Sequence, residues 1–156
     1  MAIANDSAAA LMTEYVTVTI GDHMFGLPIF RVQDVFVPDR LTRVPLAPPE
    51  VAGILNLRGR VVTAIDMRAR LEFGARPPGT PVMAIGIELK GESYGLLIDT
   101  VGEVMKLGEA TLEPNPVNLD ARLARVSGGV HRLDGQLMVV LDVEHVLNTS
   151  AEPLAA

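Results

Sequence analysis

Tyr15-Val16-Thr17-Val18-Thr19-Ile20 places two valines and an isoleucine at every second position, with threonines between them, and Gly21-Asp22 follows at once. A period of two sends successive side chains to opposite faces of an extended chain, so this stretch predicts a half-buried strand with one apolar face turned inward. Gly-Asp then turns the strand, and Met24 to Ile29 supplies the return. Val32 to Val37 predicts a third strand. Val44-Pro45 and Pro48-Pro49 mark a loop that cannot lie inside a sheet, and Gly53–Leu57 with Val61–Ile65 forms a further hairpin.

The same pattern occurs twice. An offset of 69 residues superposes Gly26 on Gly95, Leu27 on Leu96, Ile29 on Ile98, Val32 on Val101 and Val35 on Val104. An offset of 76 superposes Gly53 on Gly129, Leu57 on Leu133, Gly59 on Gly135, Asp66 on Asp142 and Leu71 on Leu147. The offsets differ by 76 − 69 = 7, so the second copy carries seven extra residues around Gly108 to Leu123. Conservative pairs in the same frame, Val18 with Ile87, Phe25 with Tyr94 and Asp34 with Glu103, identify a duplication.

Each copy has about 60 residues, a size that buries only about 60% of its unfolded surface, so the copies are expected to pack on a shared apolar seam. The first is expected over about residues 15–72 and the second over about 82–148, joined by 73–81, with tails at 1–14 and 149–156. Each ends in a short helix, at 67–72 and 143–148, announced by Asp66 and Asp142 as N-caps.

Composition narrows the function. The chain of 156 residues is 49% apolar, enough to fill a core, and 19 acidic against 13 basic residues give −6. That sign repels phosphate backbones, and the six aromatics are dispersed, which disfavours a small β-barrel that binds nucleic acid, the alternative of another class. Cysteine is absent, which removes disulfides and thiolate chemistry. The N-terminal stretch lacks Lys and Arg and carries Asp6, so it does not read as a signal peptide. The longest apolar run, Leu137 to Leu141, is far shorter than the roughly 20 residues a membrane span needs, and a cytoplasmic location is expected without direct membrane insertion.

Catalytic constellations do not assemble. Asp99-Thr100-Val101-Gly102 is interrupted by valine relative to an aspartic-protease tripeptide, and the equivalent Phe30-Arg31-Val32-Gln33 supplies no second carboxylate. His23, His131 and His145 lack metal-ligand spacing, and Ser93, Ser127 and Ser150 lack a nucleophile elbow. No enzyme, metal or cofactor is expected. The copies differ where one hairpin turns: Leu133-Asp134-Gly135-Gln136 has the Asp-Gly pair that tight turns favour, whereas Leu57-Arg58-Gly59-Arg60 has arginine. A guanidinium at a rigid tip is either simply solvated or placed for a planar contact with a carboxylate, a partner's or that of Asp34.

Val51-Ala52-Gly53-Ile54-Leu55-Asn56-Leu57-Arg58-Gly59-Arg60-Val61-Val62, followed by Ile65-Asp66-Met67-Arg68, resembles the CheW family of bacterial chemotaxis coupling proteins. Gly26-Leu27-Pro28-Ile29, Val32-Gln33-Asp34-Val35, Arg43-Val44-Pro45 and Tyr94-Gly95-Leu96 through Ile98-Asp99 agree in order, so the likeness spans about residues 15–148. It implies a mainly β fold of two tandem SH3-like five-stranded barrels on a shared hydrophobic core. It also implies a non-enzymatic adaptor joining methyl-accepting chemotaxis receptors to the regulatory domain of the histidine kinase CheA, held through these partners at receptor arrays on the inner face of the membrane. Carried over position by position, the receptor groove would use Val32, Asp34, Gly53, Arg58, Val101 and Val104, beside the hairpin motif Asn56-Leu57-Arg58-Gly59. Kinase contacts are not assigned to residues. Two positions depart from the family: Thr63 stands where proline is usual, and Asp34 where many members have the longer glutamate, which leaves its reach to Arg58 open.

Overall fold

The computed structural model describes residues 11–147, so the expected tail at 149–156 and residues 1–10 of the expected tail at 1–14 lie outside them, while Met12–Glu14 already belong to the first strand. Ten strands follow one another as β1 (Met12–Ile20), β2 (His23–Pro28), β3 (Asp34–Phe36), β4 (Val51–Leu57), β5 (Arg60–Asp66), β6 (Met83–Leu89), β7 (Glu92–Ile98), β8 (Thr100–Gly108), β9 (Ser127–Leu133) and β10 (Gln136–Leu141). Short helices are α1 (Met67–Arg70), α2 (Ala121–Ala124) and α3 (residues 143–147).

The expected pair of five-stranded sheets is present, ordered β8-β1-β2-β10-β9 and β3-β6-β7-β5-β4. Their membership corrects the expected partition into barrels at 15–72 and 82–148. Each sheet combines the first two strands of one copy with the last three of the other: β1 and β2 with β8, β9 and β10, and β6 and β7 with β3, β4 and β5. The register makes the exchange exact in number. Val18↔Phe25 in β1–β2 recurs as Ile87↔Tyr94 in β6–β7, and Val16↔Val104 in β1–β8 recurs as Ile85↔Val35 in β6–β3. Phe25↔Val139 recurs as Tyr94↔Thr63, and His131↔Met138 as Leu55↔Val62. All four obey the two offsets read from the sequence. The exchange is made where β2 and β7 pass to their next strands across the boundary, through residues 29–33 with a 3₁₀ turn at Ile29–Arg31 and through Asp99 alone. Each connection carries the chain out of one sheet and directly into an end strand of the other.

Each sheet closes at the same place by the same device. After β3, Thr42 bridges Ile54 of β4, and after β8, Glu113 bridges Val130 of β9. The closing backbone lies on Gly53 in one barrel and Gly129 in the other, at φ +154° and +126°. A Cβ at Gly53 would collide with the Thr42 carbonyl oxygen, and one at Gly129 would stand 3.0 Å from that of Glu113. Only glycine lets the backbone approach so closely, which accounts for its presence in both copies.

The shared seam is also present. Val16, Val18, Ile20, Phe25 and Leu27 of one sheet meet Ile65, Ile85, Ile87, Leu96 and Ile98 of the other in one buried cluster, with Met67, Leu71, Val143 and Leu147 from α1 and α3. A smaller cluster fills each barrel: Leu55, Val62, Ala64, Ala84 and Leu97 in one, Tyr15, Met138 and Val140 in the other. Strand β1 is therefore covered on both faces, not the expected one. Thr17 is only 5% exposed and donates its hydroxyl to the Glu103 carbonyl at 2.7 Å, which satisfies it in the closed barrel.

Both predicted caps form. Asp66 Oδ1 accepts from the Arg68 and Ala69 amides at 3.0 and 3.4 Å, and Asp142 Oδ1 from the His145 amide at 3.1 Å. The seven-residue insertion carries α2, capped by Asp120, which drives Leu123 into the central core. Arg70 reaches from α1 to α3 and donates to the carbonyls of Val146 and His145 at 2.9 and 3.0 Å. Cationic donors suit carbonyls at a helix C-terminal end, and here they join the two copies.

Candidate functional site

Arg58 and Gly59 have φ of +53° and +82°, so the β4–β5 hairpin turns through two left-handed residues. The Gly59 amide donates to Asn56 Oδ1 at 2.9 Å, which fixes the turn from within the Asn-Leu-Arg-Gly motif. A left-handed arginine costs about 1–2 kcal/mol relative to the usual backbone. Its position is explained by its partner. Arg58 Nη1 donates to Asp34 Oδ2 at 2.5 Å, with Nη2 and Oδ1 3.5 Å apart. The shorter aspartate does reach. The guanidinium hydrogen bond holds the Asp34 carboxyl below the usual carboxylate range. Arg58 itself remains 69% exposed, so the pair sits at a rim where a further acceptor can approach it.

Asp34 owes its placement to a residue that the repeat alone does not single out. It lies opposite Gly86 across β3–β6, and a Cβ at Gly86 would stand 3.1 Å from the Asp34 Cβ and 3.5 Å from the Phe36 ring. The glycine leaves room for the carboxylate to turn towards the hairpin. The second barrel has no such pair, because Glu103 and Asp134 occupy the equivalent positions with like charge.

The valines divide by environment. Val32 and Val101, equivalent under the 69-residue offset, are partly buried against the central cluster where the chain passes between sheets. Val104 on β8 is half exposed, and so is its equivalent, Val35 on β3, at 50% and 42%. Strands β3 and β8 end their sheets, so each presents apolar side chains beside an unpaired edge. Gly53 is buried beneath Thr42 and presents no surface, so its position shapes the barrel and not a contact face. Thus Asp34 and Arg58 are in direct contact, Val35 and Val104 are each exposed on the end strand of its own sheet, and Gly53 supports the hairpin from inside.

Strand β8 is held by a buried ionic cluster. Asp99 accepts from Arg68 Nε and Nη2 at 3.0 and 2.6 Å, from Arg76 Nη1 at 2.6 Å and from the Gly21 amide at 2.9 Å. Burial alone pushes the Asp99 carboxyl up, but the hydrogen bonds from Arg68, Gly21 and Arg76 outweigh it and hold it below its ordinary value. The cluster ties α1, the 73–81 linker and the β1–β2 turn to the residue that begins the β8 crossing. The Asp99 carboxylate is thus fully engaged by structural partners, two arginines and a backbone amide. No group of His, Cys, Asp and Glu among the described residues could hold a metal ion. No helix among them is long and apolar enough to cross a membrane.

Comparison with known proteins adds the family. The CheW-like domain matches residues 14–151. The chain is 27% identical to the chemotaxis protein CheW of Rhizobium meliloti (strain 1021) over 133 residues, covering 85% of this chain and 86% of that protein. It is 25% identical to the chemotaxis protein CheW of Helicobacter pylori (strain ATCC 700392 / 26695), covering 86% and 81%. Among solved structures it is similar to the scaffolding protein TtCheW from Thermoanaerobacter tengcongensis, with a TM-score of 0.77, 27% identity and 86% of each chain covered.

Proposed function

Because the chain belongs to the CheW-like domain family, whose matched relatives are chemotaxis proteins, we propose that it is a cytoplasmic, non-enzymatic adaptor. It joins the cytoplasmic tips of chemoreceptors to the regulatory domain of the kinase CheA, and reaches receptor arrays through those partners. The observation that carries this reading is the pairing of exposed apolar edges, Val35 on β3 and Val104 on β8, with an ion pair between Asp34 and Arg58 on a rigid hairpin. An amphipathic helical tip needs such a surface: apolar side chains for its buried stripe and a charged rim to set its register. Val32 and Val101 form the floor, Val104 an edge, and Asp34 with Arg58 the rim, while Gly53 keeps the hairpin in place.

The test is titration of the intact protein with a receptor cytoplasmic fragment and, separately, with the kinase regulatory domain. Binding of both at once supports the adaptor reading. Val104→Asp should abolish receptor binding, because it sets an unpaired charge in an apolar contact, and leave the melting temperature close to that of the parent. Undiminished receptor binding by a folded Val104→Asp protein sinks the proposed groove.

A further inference from the structure

Beside the rim the two copies differ at a second pair of equivalent positions, and this difference is one of space. Under the 69-residue offset, Gly86 on β6 corresponds to Thr17 on β1, and Gln33 corresponds to Gly102 on β8. Each barrel therefore has one glycine where these strands meet, but on opposite sides of the meeting. In the second barrel, a Cβ at Gly102 would stand 2.6 Å from Thr17 Oγ1. The Thr17 hydroxyl uses that room to donate to the Glu103 carbonyl, and the Glu103 side chain is exposed. In the first barrel, the Gln33 amide donates to the Gly86 carbonyl at 2.8 Å, and the room lies on the β6 side.

Gly86 is not required by its own backbone. Its φ is outside the left-handed region, and it is buried in the middle of a strand, where glycine ordinarily weakens the element. What it supplies is the missing side chain. A Cβ there, 3.1 Å from the Asp34 Cβ, would be closer than an ordinary van der Waals contact. Strand β3 is pinned on both sides of Asp34. Before it, Gln33 bonds to the Gly86 carbonyl, and after it the Phe36 ring lies across Gly86 and Gly95, which face one another on β6 and β7. An added side chain at Gly86 therefore falls on Asp34 itself, whose carboxylate reaches Arg58. Room on β6 and arginine at the hairpin tip occur together in the first barrel, and the second has Thr17 and Asp134 in their place.

We infer that Gly86 is the positioning residue of the Asp34–Arg58 pair: by omitting a side chain it directs the Asp34 carboxylate towards the β4–β5 hairpin, and so decides which of two equivalent barrels carries the charged rim. The consequence for binding rests on the adaptor reading, whereas the positioning does not.

Carbon-detected NMR titration of the Asp34 carboxyl in the intact protein tests the positioning directly. In the parent the carboxyl is held below its ordinary value, first of all by the Arg58 hydrogen bond. Gly86→Ala should raise it part of the way towards the value in Arg58→Ala, and Gly86→Thr should raise it fully. Adding Gly86→Thr to Arg58→Ala should shift it no further, since both changes remove one interaction. The decisive variant combines Gly86→Thr with Gln33→Gly, the arrangement with which the second barrel already folds. It should melt close to the parent, show the raised Asp34 titration, and bind a receptor cytoplasmic fragment as weakly as Asp34→Ala does. An unmoved Asp34 titration in this folded variant overturns the proposal, as does a further shift on the Arg58→Ala background. Failure of the variant to fold would overturn the equivalence of the barrels on which the proposal stands. A raised titration with undiminished receptor binding upholds Gly86 as the positioning residue and removes the rim from the adaptor reading instead.

Discussion

Arg58, at the tip of the β4–β5 hairpin, and Asp34, on β3, belong to opposite margins of one five-stranded sheet, and the 2.5 Å bond between them closes the gap from outside the barrel. The pair lies at the surface, where charged contacts specify geometry more than they stabilise a fold. Arg58→Ala should therefore leave thermal melting unchanged and weaken receptor binding by about tenfold, the loss of one good charged contact. The exchange Arg58→Asp with Asp34→Arg tests whether the pair acts through its own geometry. Restored binding would mean that it orients the rim, and continued loss would mean that the partner reads the guanidinium itself.

Asp99 contrasts with that pair because its neighbours are buried. Asp99→Asn leaves the Arg68 guanidinium, in a residue only 9% exposed, without its counter-charge, and the expected cost is about 3–5 kcal/mol in urea unfolding. The folded-state carboxyl titrates below its unfolded value, so its stabilisation is present above the unfolded value and is lost as pH falls through the folded one. The Asn variant should show a flatter loss of stability in acid. A variant as stable as the parent would mean that the two arginines find other acceptors.

His131 supplies a second acid response, at higher pH. It is 1% exposed between Tyr15 Oη at 3.3 Å and Thr111 Oγ1 at 3.1 Å, and burial lowers its pKa from the usual 6.5 against the opposing pull of Glu113. The unfolded chain then binds the proton first, so stability is complete above the unfolded value and falls as pH drops through it towards the folded one. The equivalent position in the other barrel is the buried Leu55, opposite Val62 as His131 is opposite Met138. His131→Leu combined with Tyr15→Phe should remove the part of the stability change that falls between pH 7 and the folded His131 pKa. Parallel melting-versus-pH curves for the parent and the double variant would refute this.

The exchange of strands predicts the behaviour of the halves. A chain cut within the linker at residues 77–80 separates β1–β5 from β6–β10, and neither sheet retains its members. Each half alone should fail to give a folded monomer by circular dichroism, and co-expression should restore the folded protein. A monomeric, cooperatively melting half would contradict the topology.

Local patterning made much of this legible. The period-two run at residues 15–20, the Asp66 and Asp142 caps and the Arg-Gly turn are decided by neighbours within a few positions, and each appears where expected. The mismatch between equivalent turns singles out Arg58 in the sequence but leaves its partner open, because the distance to Asp34 depends on how β3 and the hairpin are brought together. Gly86 carried no such signal: its role depends on the side chain opposite it, 52 positions away. The Asp99 cluster was hidden for the same reason, since Arg68, Arg76 and the Gly21 amide come from three separate segments.

By itself the sequence determined that the molecule is a duplicated β fold, because a repeat of side-chain period and turn chemistry needs only nearest neighbours along the chain. Which strands share a sheet was decided in three dimensions. Both copies offer the same edges to one another, and the local pattern is the same whether a copy closes on itself or on its twin; only the long-range pairing of β3 with β6 and of β8 with β1 distinguishes them. The buried charges that lock one crossing, and the Phe30 left exposed at the other, follow from that pairing.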